Sequence, residues 1–333
     1  MNPADTRRRA LQRGLRAGSA LAAVAAFPGL TRAQAGWPVK PIRLIVPFAP
    51  GGSSEIVARS AANELGKTLG QTVFVDNRPG ASGNIAMQEC ASSTDGHTLV
   101  LGHIGTMAVN PFIFDKLPFD TNRDFRPVSL LAKVPSLYVV NSNVPARNLK
   151  EFIALAKSKP GQLNYGSAGN GSAGHLAFEY LKMVSGIFVL HVPYRGTGPQ
   201  LTDLLAGRLD AASVGAPAIL AHIKSGKLRC IATGTRERLP QLPEVPTVAE
   251  SGYPGFEMTQ WYGLNAPSSM PAAAIDKIAD ACGKAMHNAQ ATERLRGDTA
   301  QPVGDTPAQY GAFIRAEQAR WKEVVARAKI KAD

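Results

Sequence analysis

Three glycine- and serine-rich segments, each placed after a short apolar run, carry the residue types best suited to chemistry. They are Phe48-Ala-Pro-Gly-Gly-Ser-Ser-Glu55, Gly102-His-Ile-Gly-Thr106 and Gly166-Ser-Ala-Gly-Asn-Gly-Ser-Ala-Gly174. The first and third open helical patterns. A helix N-terminus presents unpaired backbone N–H groups and a partial positive charge, which suits carboxylates and phosphates. Glycine lets the backbone come close to a ligand, and serine adds a hydroxyl donor. The candidate ligand-binding residues are therefore Phe48, Ala49, Gly51, Gly52, Ser53, Ser54 and Glu55 from the first segment. The second supplies His103, Gly105 and Thr106, and the third Ser167, Ala168, Gly169, Asn170, Gly171, Ser172 and the adjacent His175. Tyr194, Arg195 and Val214, at the ends of later apolar runs, complete the set. Backbone donors of Gly51, Gly52, Ser53, Gly169 and Gly171 are expected to hold the anion. Taken singly, each segment could equally be a tight turn with an N-cap; three on one sheet edge favour a site.

Other chemistries find little support. Gly169-x-Gly171-x-x-Gly174 matches the dinucleotide pattern, but the next strand ends His191-Val-Pro-Tyr-Arg195 without the ribose-binding acid. No cofactor is expected. The sequence has no Gly-x-Ser-x-Gly elbow, no phosphate-loop Gly-Lys-Ser/Thr motif and no His-Glu-x-x-His, and its six histidines lack metal-ligand spacing. His103 and His175 leave a Ser–His pair open, although a lone histidine beside a loop more often only hydrogen-bonds. Cys90, Cys230 and Cys282 share no metal-like spacing, and buried free thiols are expected.

The elements that would position these loops alternate strand and helix. Apolar runs at Ile42–Val46, Thr72–Val75 and Thr98–Leu101 are interleaved with helical patterns at Glu55–Leu65 and Ile85–Cys90. The rhythm restarts with helices at Leu149–Lys157, Ser172–Val184, Gln200–Ala206 and Ala218–Ser225. Between them lie strands at Leu163–Tyr165, Phe188–Val192, Ala211–Val214 and Leu228–Ala232. A connector with Pro240, Pro243, Pro246 and Pro254 leads to a strand at Trp261–Asn265 and helices at Ala272–Asn288 and Pro307–Ala328. This is an α/β chain with a parallel sheet in each of two units. The economical layout gives a first domain from residues 36–139 completed by 258–333, and a second from 140–257. The chain then crosses twice between two hinged lobes, with a ligand in the cleft.

The 333 residues are 44% hydrophobic and 19% charged, a globular balance with apolar material for a real core. Residues 1–35 carry six arginines against Asp5, so +5 of the net charge of +12 lies there and +7 in the remainder. The segment reads as an export signal. Thr6-Arg-Arg-Arg9 precedes the apolar run Ala20–Phe27 and the small-x-small site Ala33-Gln34-Ala35. Arg7-Arg8 resembles a twin-arginine signal. Cleavage near Ala35 and a periplasmic location are expected. The remaining positive charge is scattered, with no basic stripe, so nucleic acid is not an expected partner.

The order of several motifs resembles the substrate-binding proteins of tripartite tricarboxylate transporters, the Bug receptors. The resemblance runs through Trp37-Pro-x-Lys-Pro-Ile-Arg-Leu-Ile-Val-Pro-Phe-Ala-Pro-Gly-Gly52 and Val75-Asp-Asn-Arg-Pro-Gly-Ala-x-Gly83. It continues through Asn164-Tyr-Gly-Ser-Ala-Gly-x-Gly-Ser172, His191–Gly196, Ile223–Arg229, Pro243–Gly252 and Trp261-Tyr-Gly263, covering nearly all of residues 37–333. It implies a two-lobed periplasmic-binding-protein fold of type II, with two doubly wound α/β domains joined by a hinge. The implied function is a monomeric, non-enzymatic solute receptor that hands a small organic carboxylate to membrane permease subunits. An exported enzyme acting on carboxylated substrates, or a sensor with no transport role, are the alternatives. Two departures stand out: Glu55 stands where the family usually has Asp, and Val214-Gly215 where it often has an acid. Losing that acid removes a partner for an ammonium group and favours a plain carboxylate.

Overall fold

The computed structural model describes residues 36–332; the export reading of residues 1–35 lies outside them. Strands β1 (Ile42–Val46), β2 (Val73–Asn77) and β3 (Thr98–His103) form a parallel set in the order β2-β1-β3. The near-continuous apolar runs of β1 and β3 follow from cover on both faces, whereas β2 is an edge strand with Phe74 exposed. Helix α1 (Ser53–Leu69) buries Val57, Ala58, Ala61, Ala62, Leu65 and Leu69, and stops at Gly70, whose left-handed φ of 68° ends the helix. Helix α2 (Asn84–Ala91) follows β2. Beyond β3 a wide helical turn, Ile104–Val109, runs into the short α3 (Asn110–Ile113).

The long strand β4 (Phe125–Asn141) is the main element that sequence patterning does not predict. Its residues 125–135 pair antiparallel with β9 (Thr259–Pro267), which in turn pairs antiparallel with β3. Residues 136–141 lie between β7 (Ala211–Gly215) and β8 (Leu228–Thr233), antiparallel to both. A second parallel set, β7, β5 (Asn164–Ser167) and β6 (Leu190–Pro193), continues from there. One strand thus carries the chain from one α/β half to the other. The Pro-rich stretch between β8 and β9 brings it back, tied down where the Met258 N–H donates to the Gly234 carbonyl at 2.7 Å.

Helices α4 (Leu149–Ser158), α5 (Ala173–Ser185), α6 (Thr197–Leu205) and α7 (Ala216–Lys224) cover the second half. Helices α8 (Ala272–His287), α9 (Ala289–Gly297) and α10 (Pro307–Ala328) close the chain, with the two-residue β10 (Gln301–Pro302) beside β4. The sixth strand starts two residues later than its apolar run, because Phe188 is exposed and its carbonyl is taken by the Gly161 N–H. The core of the second half is an aromatic stack. Phe178 lies flat on Tyr165 at 4.3 Å and meets Phe152 edge-on. Glu317 of α10 accepts both indole N–H groups of Trp261 (2.8 Å) and Trp321 (3.2 Å), pinning β9 to the helix. The architecture is a two-lobed α/β fold. Among the described residues, no helix is long and apolar enough to cross a membrane. All three cysteines are free and buried.

Candidate ligand site

The loops at the carboxyl ends of β1, β3, β5 and β7 meet where the two halves of the sheet face each other. Phe48, Ser53, Ser54, His103 and Ile104 come from the first half. Ala168, Ser172–Gly174, Thr197, Gln200 and Ser213–Gly215 come from the second, and Gln260–Tyr262 from β9. Together they line a cavity of about 30 Å³ that includes no Lys, Arg, Asp or Glu. Four helices of nine residues or more, α1, α5, α6 and α7, start on its wall. A helix start carries unpaired backbone N–H groups and a positive partial charge, which favour an anion near it.

Each loop is shaped by its own side chains. In the first, Gly51 has φ 95°, and its N–H donates to Glu55 Oε2 at 2.7 Å while Arg59 donates to Oε1. In the third, the Gly169 N–H donates to Ser167 Oγ at 3.1 Å and the Gly171 N–H to His175 Nδ1 at 3.1 Å. The Ser172 hydroxyl caps α5 by accepting from the His175 N–H. Three of the five backbone donors expected to hold an anion, those of Gly51, Gly169 and Gly171, are thus spent inside their own loops. Of the lining's polar residues, Ser53, Ser54, Ser172 and Thr197 stand instead at the helix starts.

The second segment is a strand end and a helical start, not an open loop. His103 is extended, with φ −144° and ψ 176°. Its Nδ1 accepts from the N–H groups of Gly105 (2.6 Å) and Thr106 (3.2 Å), while Thr106 Oγ1 accepts from the His103 N–H. Phe48 stacks on the imidazole at 4.5 Å, nearly parallel. Burial pushes the imidazole pKa down to about 3, so the ring is neutral across the physiological range.

The remaining candidates lie around this cavity. Phe48, Ala168, Gly169, Tyr194 and Arg195 line a shallower outer groove with Pro79–Gly83 and Ile85. Arg195 is exposed there and is absent from the cavity lining. The Tyr194 hydroxyl donates to Asp203 at 2.7 Å. Ser167 Oγ sits 2.7 Å from His191 Nε2, a Ser–His contact outside the cavity lining; burial, then the neighbouring His175 and Lys182, push the His191 pKa to about 3. Val214 lines the cavity. Thr197, Gln200, Ser213 and Gln260–Tyr262 were not anticipated; the glycines Gly196 and Gly215, N-caps of α6 and α7, were the available signal for the first and third of these.

The two halves touch across the site. The Ala49 N–H donates to the Arg195 carbonyl at 3.3 Å. A Cβ on Gly105 would collide with the Gly171 carbonyl oxygen, so only glycine allows that approach. Among the described residues no group of three or more His, Cys, Asp or Glu converges to hold a metal.

Residues 57–330 match the tripartite tricarboxylate transporter family receptor, TctC. The chain belongs to this family. It is 36% identical to the protein BugT of Bordetella pertussis over 291 residues, covering 87% of this chain and 89% of that one. It is similar to the solved structure of Rhodopseudomonas palustris MatC with bound malate. That match has a TM-score of 0.82 and 34% identity, over 86% of this chain and 99% of the other. R. palustris Rpa4515 with adipate gives a TM-score of 0.86 and 34% identity, over 89% of this chain and all of that one. The family is one of solute-binding receptors.

Proposed function

We propose that the chain is a periplasmic receptor that closes on a small organic carboxylate and delivers it to the permease of a tripartite tricarboxylate transporter. On this reading residues 1–35 direct export and are cleaved near Ala35. Residues 36–139 with 258–333 form one lobe, 140–257 the other, and the monomer hinges on β4 and the return connector. It is a receptor and not an enzyme.

The observation that carries the reading is the cavity between the lobes. It has four helix N-termini and neutral hydrogen-bonding side chains on its wall, and no charged side chain. Such a wall favours an anion through backbone partial charge and offers no carboxylate to an ammonium group. The malate and adipate bound to the similar proteins are ligands of the same chemical class.

A thermal-shift screen of mono-, di- and tricarboxylates tests it. A ligand at 100 times its dissociation constant stabilises the fold by about 2.7 kcal/mol. That is a rise of several degrees in Tm. A panel in which no acid raises Tm would refute the carboxylate assignment.

A further inference from the structure

We propose that His103 determines specificity in this cavity: its Nε2–H is a fixed, neutral donor that, with the Ser53 and Ser213 hydroxyls, takes one carboxylate group of the solute. The inference rests on the carboxylate reading above and names the side chains that carry it out.

The tautomer follows from the neighbours. Both hydrogen bonds at Nδ1 come from backbone N–H groups, of Gly105 and Thr106. A nitrogen that accepts twice carries no proton, so the ring proton sits on Nε2. A proton on Nδ1 would face two N–H groups, so the imidazolium is excluded by geometry as well as by burial. A ring flip would set a carbon against the same two donors, and Phe48 packed on the face holds the plane.

Nε2 itself is buried and has no hydrogen-bond partner within the protein, and the residue is 3% exposed. Two other side chains of the lining share this condition. Ser53 Oγ, in the first turn of α1, and Ser213 Oγ, near the end of β7, are buried and unpartnered, at 3% and 2% exposure. Buried polar atoms are nearly always paired, so three orphans in one cavity mark where a ligand supplies the partners. The serines come from opposite lobes, so a carboxylate held by all three groups would bridge the closure. Hydroxyls can donate or accept, but the imidazole N–H can only donate. It therefore selects an acceptor and rejects an ammonium group in the same place. The only other titratable residue in the lining is Tyr262, paired with His103 across β3 and β9, and burial raises its phenol pKa.

The test uses histidine-labelled full-length mature protein with malate and adipate as probes. Long-range ¹H–¹⁵N spectra of the ligand-free protein should show His103 as the Nε2–H tautomer with no titration from pH 5.5 to 8. Addition of the acid that binds should shift that proton downfield. His103→Asn keeps an acceptor at the Nδ1 position but its amide stops short of the Nε2 position. Calorimetry should then show about 10- to 100-fold weaker binding, the value of a hydrogen bond to a charged group. Ser213→Ala should also weaken binding. An Nδ1–H tautomer, a midpoint inside the pH range, or wild-type affinity in His103→Asn would overturn the assignment while leaving the receptor reading intact. Wild-type protein that binds no carboxylate in the screen removes both. If the asparagine variant fails to fold, the wild-type spectra and Ser213→Ala decide.

Discussion

Acidification should destabilise the fold through His103, in a window the structure defines. The imidazole is 3% exposed and its pKa lies at about 3, against about 6.5 for a free histidine. The depressed value means that the unfolded chain takes up the proton first. Stability is therefore complete above pH 6.5 and declines as the pH falls toward 3, by up to about 1.4 kcal/mol per unit. Between pH 7.5 and 5.0 the chain spends 1.5 units below pH 6.5, so His103 alone costs about 2 kcal/mol. His191, depressed to about 3 by burial and by His175 and Lys182, adds to the loss. Asp95 falls outside the window. Burial notwithstanding, hydrogen bonds from the His97 N–H and Ser93 hydroxyl hold its carboxyl at about 2, so its contribution is lost only below pH 4. Urea unfolding at pH 7.5 and 5.0 measures the effect, with the slope against urea checked for constancy. His103→Asn removes this titration, so its pH-induced loss should be smaller than the wild type's by about 2 kcal/mol. Equal losses in both proteins would show that His103 takes up a proton without unfolding, and the neutral fixed ring would be wrong.

Other perturbations probe the frame and the closure. Glu317→Ala leaves two buried indole N–H groups, those of Trp261 and Trp321, without their acceptor. At about 1–3 kcal/mol for each orphaned donor, denaturant unfolding should show a loss of several kcal/mol, and a loss below about 1 kcal/mol would mean that other groups replace the carboxylate. Phe178→Ala empties the centre of the Tyr165–Phe152 stack and should cost about 3–5 kcal/mol by the same assay. Gly105→Ala puts a methyl group against the Gly171 carbonyl, so ligand binding should weaken at least tenfold and the radius of gyration with saturating acid should exceed the wild type's; unchanged scattering and affinity would disprove the close approach. The three buried thiols should resist a thiol reagent in the native protein and all react once it unfolds; burial, which pushes Cys230 to about 12, keeps it unreactive only while it stays buried.

The strand–helix rhythm was legible because β1, β3 and β7 are short apolar runs followed by glycine and a helix, and those runs are buried on both faces. Strand β4 was not. Pro127, Lys133 and Pro135 break its apolar pattern, and proline normally argues against a central strand. The structure tolerates both prolines at irregular points. Pro127 flanks a register shift against β9, and Pro135 is the last residue of that ladder before β4 changes partners at Ser136. The glycine-rich loops meet at the cavity, but three of the backbone donors expected to hold an anion already have acceptors within those loops. Glycine reports where the backbone can come close, and says nothing of whether its N–H is already taken. In Gly51, Gly169 and Gly171 it is taken by a side chain two or four residues away, which depends on rotamers no periodicity encodes. His103 is a ligand-binding candidate from the sequence, but its capping of the next turn is not legible there, since histidine is not a usual N-cap. The proposed role follows from the two donors at Nδ1 and the absence of a partner within the protein at Nε2.

A cavity with no charged side chain is a physically sensible receptor for an anion that must be both held and released. A guanidinium on the wall would pair strongly with a carboxylate, but in the empty state it would be a buried charge without a partner, which costs several kcal/mol. Arg195 avoids that problem by standing exposed in the outer groove. Helix N-termini and neutral N–H and O–H donors carry only partial charges. Their desolvation cost in the empty protein is correspondingly smaller, and each hydrogen bond to a carboxylate is still strengthened by the ligand's own charge. The difference between loaded and empty states then comes from several moderate bonds distributed over both lobes, with Ser53 and His103 on one and Ser213 on the other. On the proposed hinge motion, opening the lobes would break them together, so the motion that releases the solute would also cancel the affinity. A fixed neutral imidazole fits this scheme better than a titrating one, because its grip on the ligand would not vary with pH.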